Sequence, residues 1–251
     1  MNILQKILFY ISVPRCIFCD EKLEITEEAL CKKCRAAYLD FKERNCSICS
    51  RPLYRCNCTS DYLESHFIHN HIKVFRYKAG EESPANELIY RLKRENRRDI
   101  INYIAKELTD SINSSLNVDE NTVFTCVPRR RRAIAKYGID HSEELAKAVA
   151  KNFSCKFIKL LKSKAKNAQK KSDSIDKRIQ NAKFKLINEN MNLSGKTVVI
   201  IDDIVTTGAS MGAAAFNIKV LNPKKIVGAS IAVAYKDTYN PPSKEDRFFK
   251  K

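Results

Sequence analysis

The chain has 251 residues, room for one α/β domain of up to about 200 residues plus a small appendage. Hydrophobic residues make up 44% and charged residues 30%, which excludes global disorder, and no apolar run reaches the roughly 20 residues that span a bilayer. The net charge is +17 and unevenly placed: residues 121–190 hold 18 basic and 6 acidic residues, a net of +12, against a net of +3 in residues 1–60. That middle attracts polyanions, whether nucleic acid, a phosphorylated small molecule or anionic lipid.

Residues 7–13 read as a short amphipathic helix packed on the adjoining domain. The stretch Ser12-Val13-Pro14-Arg15-Cys16 is a poor cleavage site for an export signal, so the expected compartment is a reducing cytoplasm. Eight of the ten cysteines come next, as Cys16-x-x-Cys19, Cys31-x-x-Cys34, Cys46-x-x-Cys49 and Cys56-x-Cys58. A C-x-x-C turn places two thiolates about a tetrahedral edge apart, and two such turns close an all-sulfur shell around Zn²⁺. Two structural zinc ions are expected in residues 1–60, a double zinc ribbon. Sequential sets, Cys16, Cys19, Cys31 and Cys34 and then Cys46, Cys49, Cys56 and Cys58, minimise loop closure and are expected, with crossed pairing of knuckles as the alternative. A disulfide framework is disfavoured by the knuckle spacing and the missing export signal. Cys126 and Cys155 read as ordinary buried cysteines, and His66, His69 and His71 as surface or interface residues.

From residue 61 onward, strands and helices alternate. Residues 67–77 read as a strand. Ser83-Pro84 starts a helix through residues 87–93, and residues 99–112 form a second, with Ile100, Ile101, Ile104 and Leu108 on one stripe. Residues 123–128 form a buried strand ending at Pro128. After the run Arg129, Arg130, Arg131, Arg132, either Asp140 or Ser142 caps a helix carrying Leu145, Val149 and Phe153. Residues 157–161 read as a short strand, 162–176 as a lysine-rich loop, 196–202 as the central parallel strand, 209–220 as a helix and 226–234 as the last strand. Residues 61–251 therefore form an α/β domain with a mostly parallel sheet and helices on both faces.

The most informative stretch is residues 198–210, Val-Val-Ile-Ile-Asp-Asp-Ile-Val-Thr-Thr-Gly-Ala-Ser. Four β-branched residues deliver Asp202 and Asp203 to the carboxyl edge of a parallel sheet, where ligands of open α/β folds bind. The next turn opens a helix, and its free N–H groups, two hydroxyls and close-approach glycine make a cradle for a phosphate. Carboxylates beside a phosphate cradle describe a site for a ribose 5-phosphate.

On these residues the chain resembles the type I phosphoribosyltransferases, whose phosphoribosyl pyrophosphate signature matches residues 198–210 nearly position for position. More narrowly it resembles the ComF family of competence proteins, through the cysteine module, Tyr77-Lys78 with Leu92-Lys93, Val127-Pro128 before the basic run, and Gln169, Arg178 and Asn181. It departs from that family at Ile139-Asp140-His141 and in carrying Lys164 and Lys166 ahead of Gln169. Purine-salvage members place an aspartate base where Thr206 stands, which argues against that subclass.

The resemblance implies that Asp202 and Asp203 hold the ribose hydroxyls, directly or through Mg²⁺. It implies that Thr206, Thr207, Gly208, Ala209 and Ser210 hold the 5-phosphate, and that Arg129 and Arg130 contact pyrophosphate. It further implies handling of single-stranded DNA during natural transformation, with basic residues in 129–178 on the DNA backbone and a DNA-uptake ATPase as a candidate partner. Alternatives are an active phosphoribosyltransferase with an amine or base acceptor, and a zinc-organised adaptor with an inert pocket.

Overall fold

The computed structural model describes residues 14–46, 48–78, 83–163 and 184–234. The expected helix at 7–13, Gln169, Arg178, Asn181, Lys164 and Lys166 lie outside the described residues, as does the lysine-rich loop beyond Ser163.

The amino-terminal segment is built twice on one plan. Arg15 bridges Lys22 as Asn45 bridges Pro52, and the amide of Cys16 donates to Glu21 as that of Cys46 donates to Arg51. Asp20 and Ser50, each just past the second cysteine, adopt the left-handed conformation (φ 65° and 57°) that closes each knuckle. The first copy continues into helix α1 (Lys32–Lys42), the second into a one-turn helix (Leu53–Arg55) and an extended arm through Cys58. Helix α1 docks on the larger domain rather than standing apart. Tyr38 and Phe41 are buried among Phe75, Tyr103 and Phe18, and Tyr38 and Lys42 both bond Glu107.

The larger domain runs α2 (Asp61–Glu64), β1 (His71–Tyr77), α3 (Pro84–Glu95), α4 (Arg98–Asn113), β2 (Thr122–Cys126), α5 (Arg131–Tyr137), α6 (His141–Asn152), β3 (Lys156–Phe157), β4 (Leu161–Ser163), β5 (Phe184–Leu186), β6 (Thr197–Val205), α7 (Ala209–Lys219) and β7 (Lys225–Ala234). Five strands form a parallel sheet in the order β1-β7-β6-β2-β3, and β4 and β5 form an antiparallel pair beside it. Because both faces are covered, the central strands are apolar almost without break. Val199 and Ile201 pack with Ile100, Ile104, Leu108, Leu145 and Leu92 in one core; Val198 and Ile200 pack with Leu63, Met211, Ala215, Ile218 and Leu186 in the other. Each fully buried valine, leucine or isoleucine among them contributes about 1.5–3 kcal/mol of transfer free energy.

Several expectations are corrected. The first strand begins at His71, since Phe67 has φ 68° and rests half-exposed against Phe216, and the one-turn helix α2 precedes it, capped by Ser60. His71 is buried at 3% exposure and bonds Ser230 at 2.9 Å, so it is a sheet residue and not a surface one. Cys126 is buried as expected, whereas Cys155 is only half-buried. The strand expected at 157–161 is split in two because the amide of Leu160 turns to the Thr125 hydroxyl, away from the backbone ladder. Lys162 and Ser163 belong to β4, not to a loop. The central strand runs on past the carboxylates to Val205.

Candidate functional site

The register of β2 on β6 pairs Cys126 with Ile201, so the chain leaving β2 carries Arg129 alongside Asp203. Arg129 forms an ion pair with Asp203, and Lys93 from α3 approaches the same carboxylate at 3.6 Å. Asp140 caps α6 on the Glu143 amide and also accepts from the backbone N–H of Arg129 at 3.0 Å, which fixes the basic loop against that helix. Ser142, the other capping candidate, instead donates its hydroxyl to Asp202 at 3.0 Å.

The two adjacent carboxylates are thereby driven apart. Burial and the neighbouring charge of Asp203 raise Asp202 well above the usual carboxylate range. Burial acts against Asp203 as well, but Arg129 and Lys93 outweigh it and hold that group below its ordinary value.

Beyond β6, Gly208 adopts φ 78° at the cap of α7, and a Cβ there would stand 2.9 Å from Leu63 Cδ2. Among the described residues no side chain caps the helix; Thr207 Oγ1 accepts only a long hydrogen bond, 3.4 Å, from the Ala209 amide. Thr206 and Ser210 are exposed and Ala209 is buried. First-turn amides, hydroxyls and the positive end of the helix dipole thus face outward at the sheet edge that carries Asp202 and Asp203, an arrangement suited to an anion. Arg130, half-buried, caps α5 through its backbone conformation and sits next to Arg129 in the same loop.

A feature without a signature in the sequence adjoins this edge. A cavity of about 660 Å³ is lined by Tyr77, Ile89, Tyr90, Lys93, Arg94 and Tyr137 among others. Lys93 belongs both to the cavity and to the Asp203 cluster, and Tyr137 lies 6.0 Å below the Arg129 guanidinium. Asn96, in the left-handed conformation at the end of α3, donates to the Tyr137 carbonyl at 2.6 Å and bonds His141 Nε2 at 3.1 Å, joining α3 to the loop and to α6. Only three-dimensional closure assembles these residues; Asp140 and Ser142 were signalled as caps but not as partners of the site.

The eight amino-terminal cysteines form two sequential clusters, Cys16, Cys19, Cys31 and Cys34, and Cys46, Cys49, Cys56 and Cys58, with the sulfurs of each within 4.8 Å of one another. None is in a disulfide. Their geometry fits a thiolate-bound metal. Cys19 and Cys31 sulfurs stand 3.7 Å apart, the edge expected of a tetrahedron with bonds of about 2.3 Å. In each knuckle the amide two residues on, Phe18 or Ile48, donates to the leading sulfur at 3.4 Å. Burial raises the thiols of Cys16 and Cys46, yet such amide bonds outweigh it and bring both down to about 7.

Residues 138–251 match the family described as the phosphoribosyl transferase domain. The parallel five-stranded sheet with helices on both faces is a phosphoribosyltransferase-like fold, and Arg129 and Arg130 precede the matched residues. Among solved structures, the chain is similar to a hypoxanthine-guanine phosphoribosyltransferase of Bacillus anthracis (16% identity, 53% of this chain and 68% of that one, TM-score 0.35). It is also similar to the adenine phosphoribosyltransferases of Thermoanaerobacter pseudethanolicus (13% identity, 57% and 83%, TM-score 0.36) and Trypanosoma brucei (11% identity, 66% and 89%, TM-score 0.38). No curated protein matches the chain. Among the described residues no helix is long and apolar enough to cross a membrane.

Proposed function

We propose that this chain binds phosphoribosyl pyrophosphate at the turn between β6 and α7 and handles single-stranded DNA on its basic surface, in the manner of the ComF family. The observation that carries the first half is the placement of Asp202 and Asp203 beside a helix start with no side-chain cap, faced by Arg129. In this reading Asp202 and Asp203 hold the ribose hydroxyls, directly or through Mg²⁺. The amides and hydroxyls of Thr206, Thr207, Gly208, Ala209 and Ser210 hold the 5-phosphate, and Arg129 and Arg130 the pyrophosphate. Bound Mg²⁺ supplies neutralisation of the pyrophosphate charge. The DNA role is supported by the net charge of +12 in residues 121–190 and by the family resemblance. The two cysteine clusters are read as structural zinc sites, kept reduced in the cytoplasm.

A second reading, an active transferase, is favoured by the cavity of Tyr77, Tyr90 and Tyr137. Its volume is within the range of small-molecule sites, and it shares Lys93 with the carboxylates, so a planar nitrogen acceptor held there would adjoin the sugar.

One experiment addresses both readings: phosphoribosyl pyrophosphate and Mg²⁺ are added with and without single-stranded DNA while binding and pyrophosphate release are followed. Binding without release supports the DNA-handling reading, and release with a nitrogen acceptor supports the transferase. Unchanged affinity in a folded Asp202→Ala, Asp203→Ala chain overturns the site. Neutralising Arg129, Arg130, Lys164 and Lys166 should flatten the salt dependence of DNA binding by about 0.7 in log–log slope for each phosphate that loses its cation; undiminished affinity removes this surface from consideration.

A further inference from the structure

Lys73 lies in the middle of β1 and is 2% exposed, an unusual place for an ammonium group. Its Nζ donates to the backbone carbonyl of Cys58 and, at 3.1 Å, to that of His71. Among the described residues no carboxylate forms an ion pair with it. Two carbonyl dipoles satisfy hydrogen bonds but supply no opposite charge, and a buried cation without one is costly.

The second cysteine cluster, in direct contact with Lys73 through the Cys58 carbonyl, is a candidate source of negative charge. Lys73 acts electrostatically on Cys56, which is fully buried, and Cys58 is its direct hydrogen-bond partner through the main chain. Four neutral thiols or two disulfides would bring no charge to balance the ammonium. Four thiolates around one divalent ion carry a net charge of −2.

The position of this cluster gives the pair a mechanical role. Among the described residues β1 is an edge strand of the sheet, paired only with β7. Its other side is met by the cysteine arm: the amide of His71 donates to the carbonyl of Asn57 at 3.2 Å, and Thr59 Oγ1 reaches the carbonyl of Ile68. The arm that ends the second cluster is therefore also the cover of the sheet edge.

We propose that Lys73 is the buried counter-charge of a dianionic zinc–thiolate centre at Cys46, Cys49, Cys56 and Cys58, and that this charge pair fastens the cysteine arm to the edge of the sheet. The inference rests on the zinc reading of that cluster. It makes the second cluster part of the stability of the larger domain and gives it a charge partner outside the cysteine module.

The test uses the full chain with its metal. Zinc content is measured first, and then transfer of zinc to a chromogenic chelator is compared for wild type, Lys73→Met and Lys73→Arg. Lys73→Met should release one of two zinc ions about 10- to 100-fold more readily, the usual effect of losing a group that supports metal ligands, while Lys73→Arg stays near wild type. A Cys49→Ser chain identifies which ion is affected. Two zinc ions with unchanged release in Lys73→Met overturn this inference alone; a wild-type chain without bound metal overturns the zinc reading and the inference with it. Should Lys73→Met not fold, hydrogen exchange on wild type decides. Chelation should strip protection from the amides of β1, and protection that survives loss of both ions overturns the proposal.

Discussion

The guanidinium of Arg129 pairs with the carboxylate of Asp203, 74 residues further along the chain. In the proposed reading the ion pair occupies the very groups that meet two parts of one ligand, the arginine its pyrophosphate and the carboxylate its sugar. Binding as proposed would replace this internal pair by contacts with the ligand.

Asp203→Asn should therefore separate the two halves of recognition. Relieved of its ion pair, Arg129 is available to free anions, so inorganic pyrophosphate should bind several-fold more tightly than to wild type, while Mg²⁺-dependent binding of phosphoribosyl pyrophosphate weakens. Calorimetric titration with each ligand checks this; parallel losses for both would show that Asp203 does not restrain Arg129.

Gly208 and Gly195 both have positive φ, 78° and 76°, but only Gly208 has a neighbour where a Cβ would go. Alanine at Gly195 should cost only the backbone term, about 1–2 kcal/mol. Alanine at Gly208 should cost more, because Leu63 at 2.9 Å must move, and should also disturb the first turn of α7 and reduce phosphate affinity. Urea unfolding of the two variants, with phosphate titration of the folded proteins, gives the comparison.

Two buried histidines set a pH dependence. Burial, then the charge of Lys73, lowers His71 to about 3; burial, then Arg129, lowers His141 to about 4, with Lys93 acting in the same sense and Asp203 against it. Both stay neutral where the unfolded chain, titrating near 6.5, takes up protons. The contribution of these two groups to stability should fall as pH drops from 6.5 toward 4, by roughly 2–3 kcal/mol per pH unit near pH 5, against the opposite contribution of Asp202, whose raised carboxyl keeps its proton in the folded chain. His141→Gln should remove about half of that contribution, the cysteine clusters being common to both chains. Denaturant titrations at pH 7, 6 and 5 read the difference; identical pH slopes would contradict it.

Metal analysis should return two zinc ions per chain, and Cys16→Ser or Cys46→Ser should each lower the content toward one. Sequential clusters mean that the two losses are separable. A single substitution that empties both sites would show that the clusters share ligands in solution.

Much of the candidate site's placement was legible because its signals are local. The apolar run from Val198 to Ile201, the paired carboxylates and Thr206-Thr207-Gly208 each have a meaning fixed by immediate neighbours, as do the C-x-x-C turns. Features that sequence alone did not disclose depend on distant partners. Phe67 looks like a strand residue until its left-handed backbone and its packing on Phe216 are seen. Lys73 and His71 look like the polar half of a strand that faces water, whereas the cysteine arm and Ser230 bury them. Ser142 bonds a carboxylate 60 residues away, and the tyrosines of the cavity come from β1, α3 and α5.

The pairing of β1 with β7 also sets an order of events during synthesis. His71 and its strand are made about 150 residues before the partner that holds them, an interval of roughly 7–30 s at typical elongation rates. The cysteine module is complete throughout that wait, so the nascent strand has the Asn57 carbonyl to bond on one side long before β7 exists to take the other. Closure of the sheet is then a late, non-local step, intrinsically slow because loop-closure entropy is met before parallel pairing rewards it, and until then the cysteine arm is the partner available to the first strand.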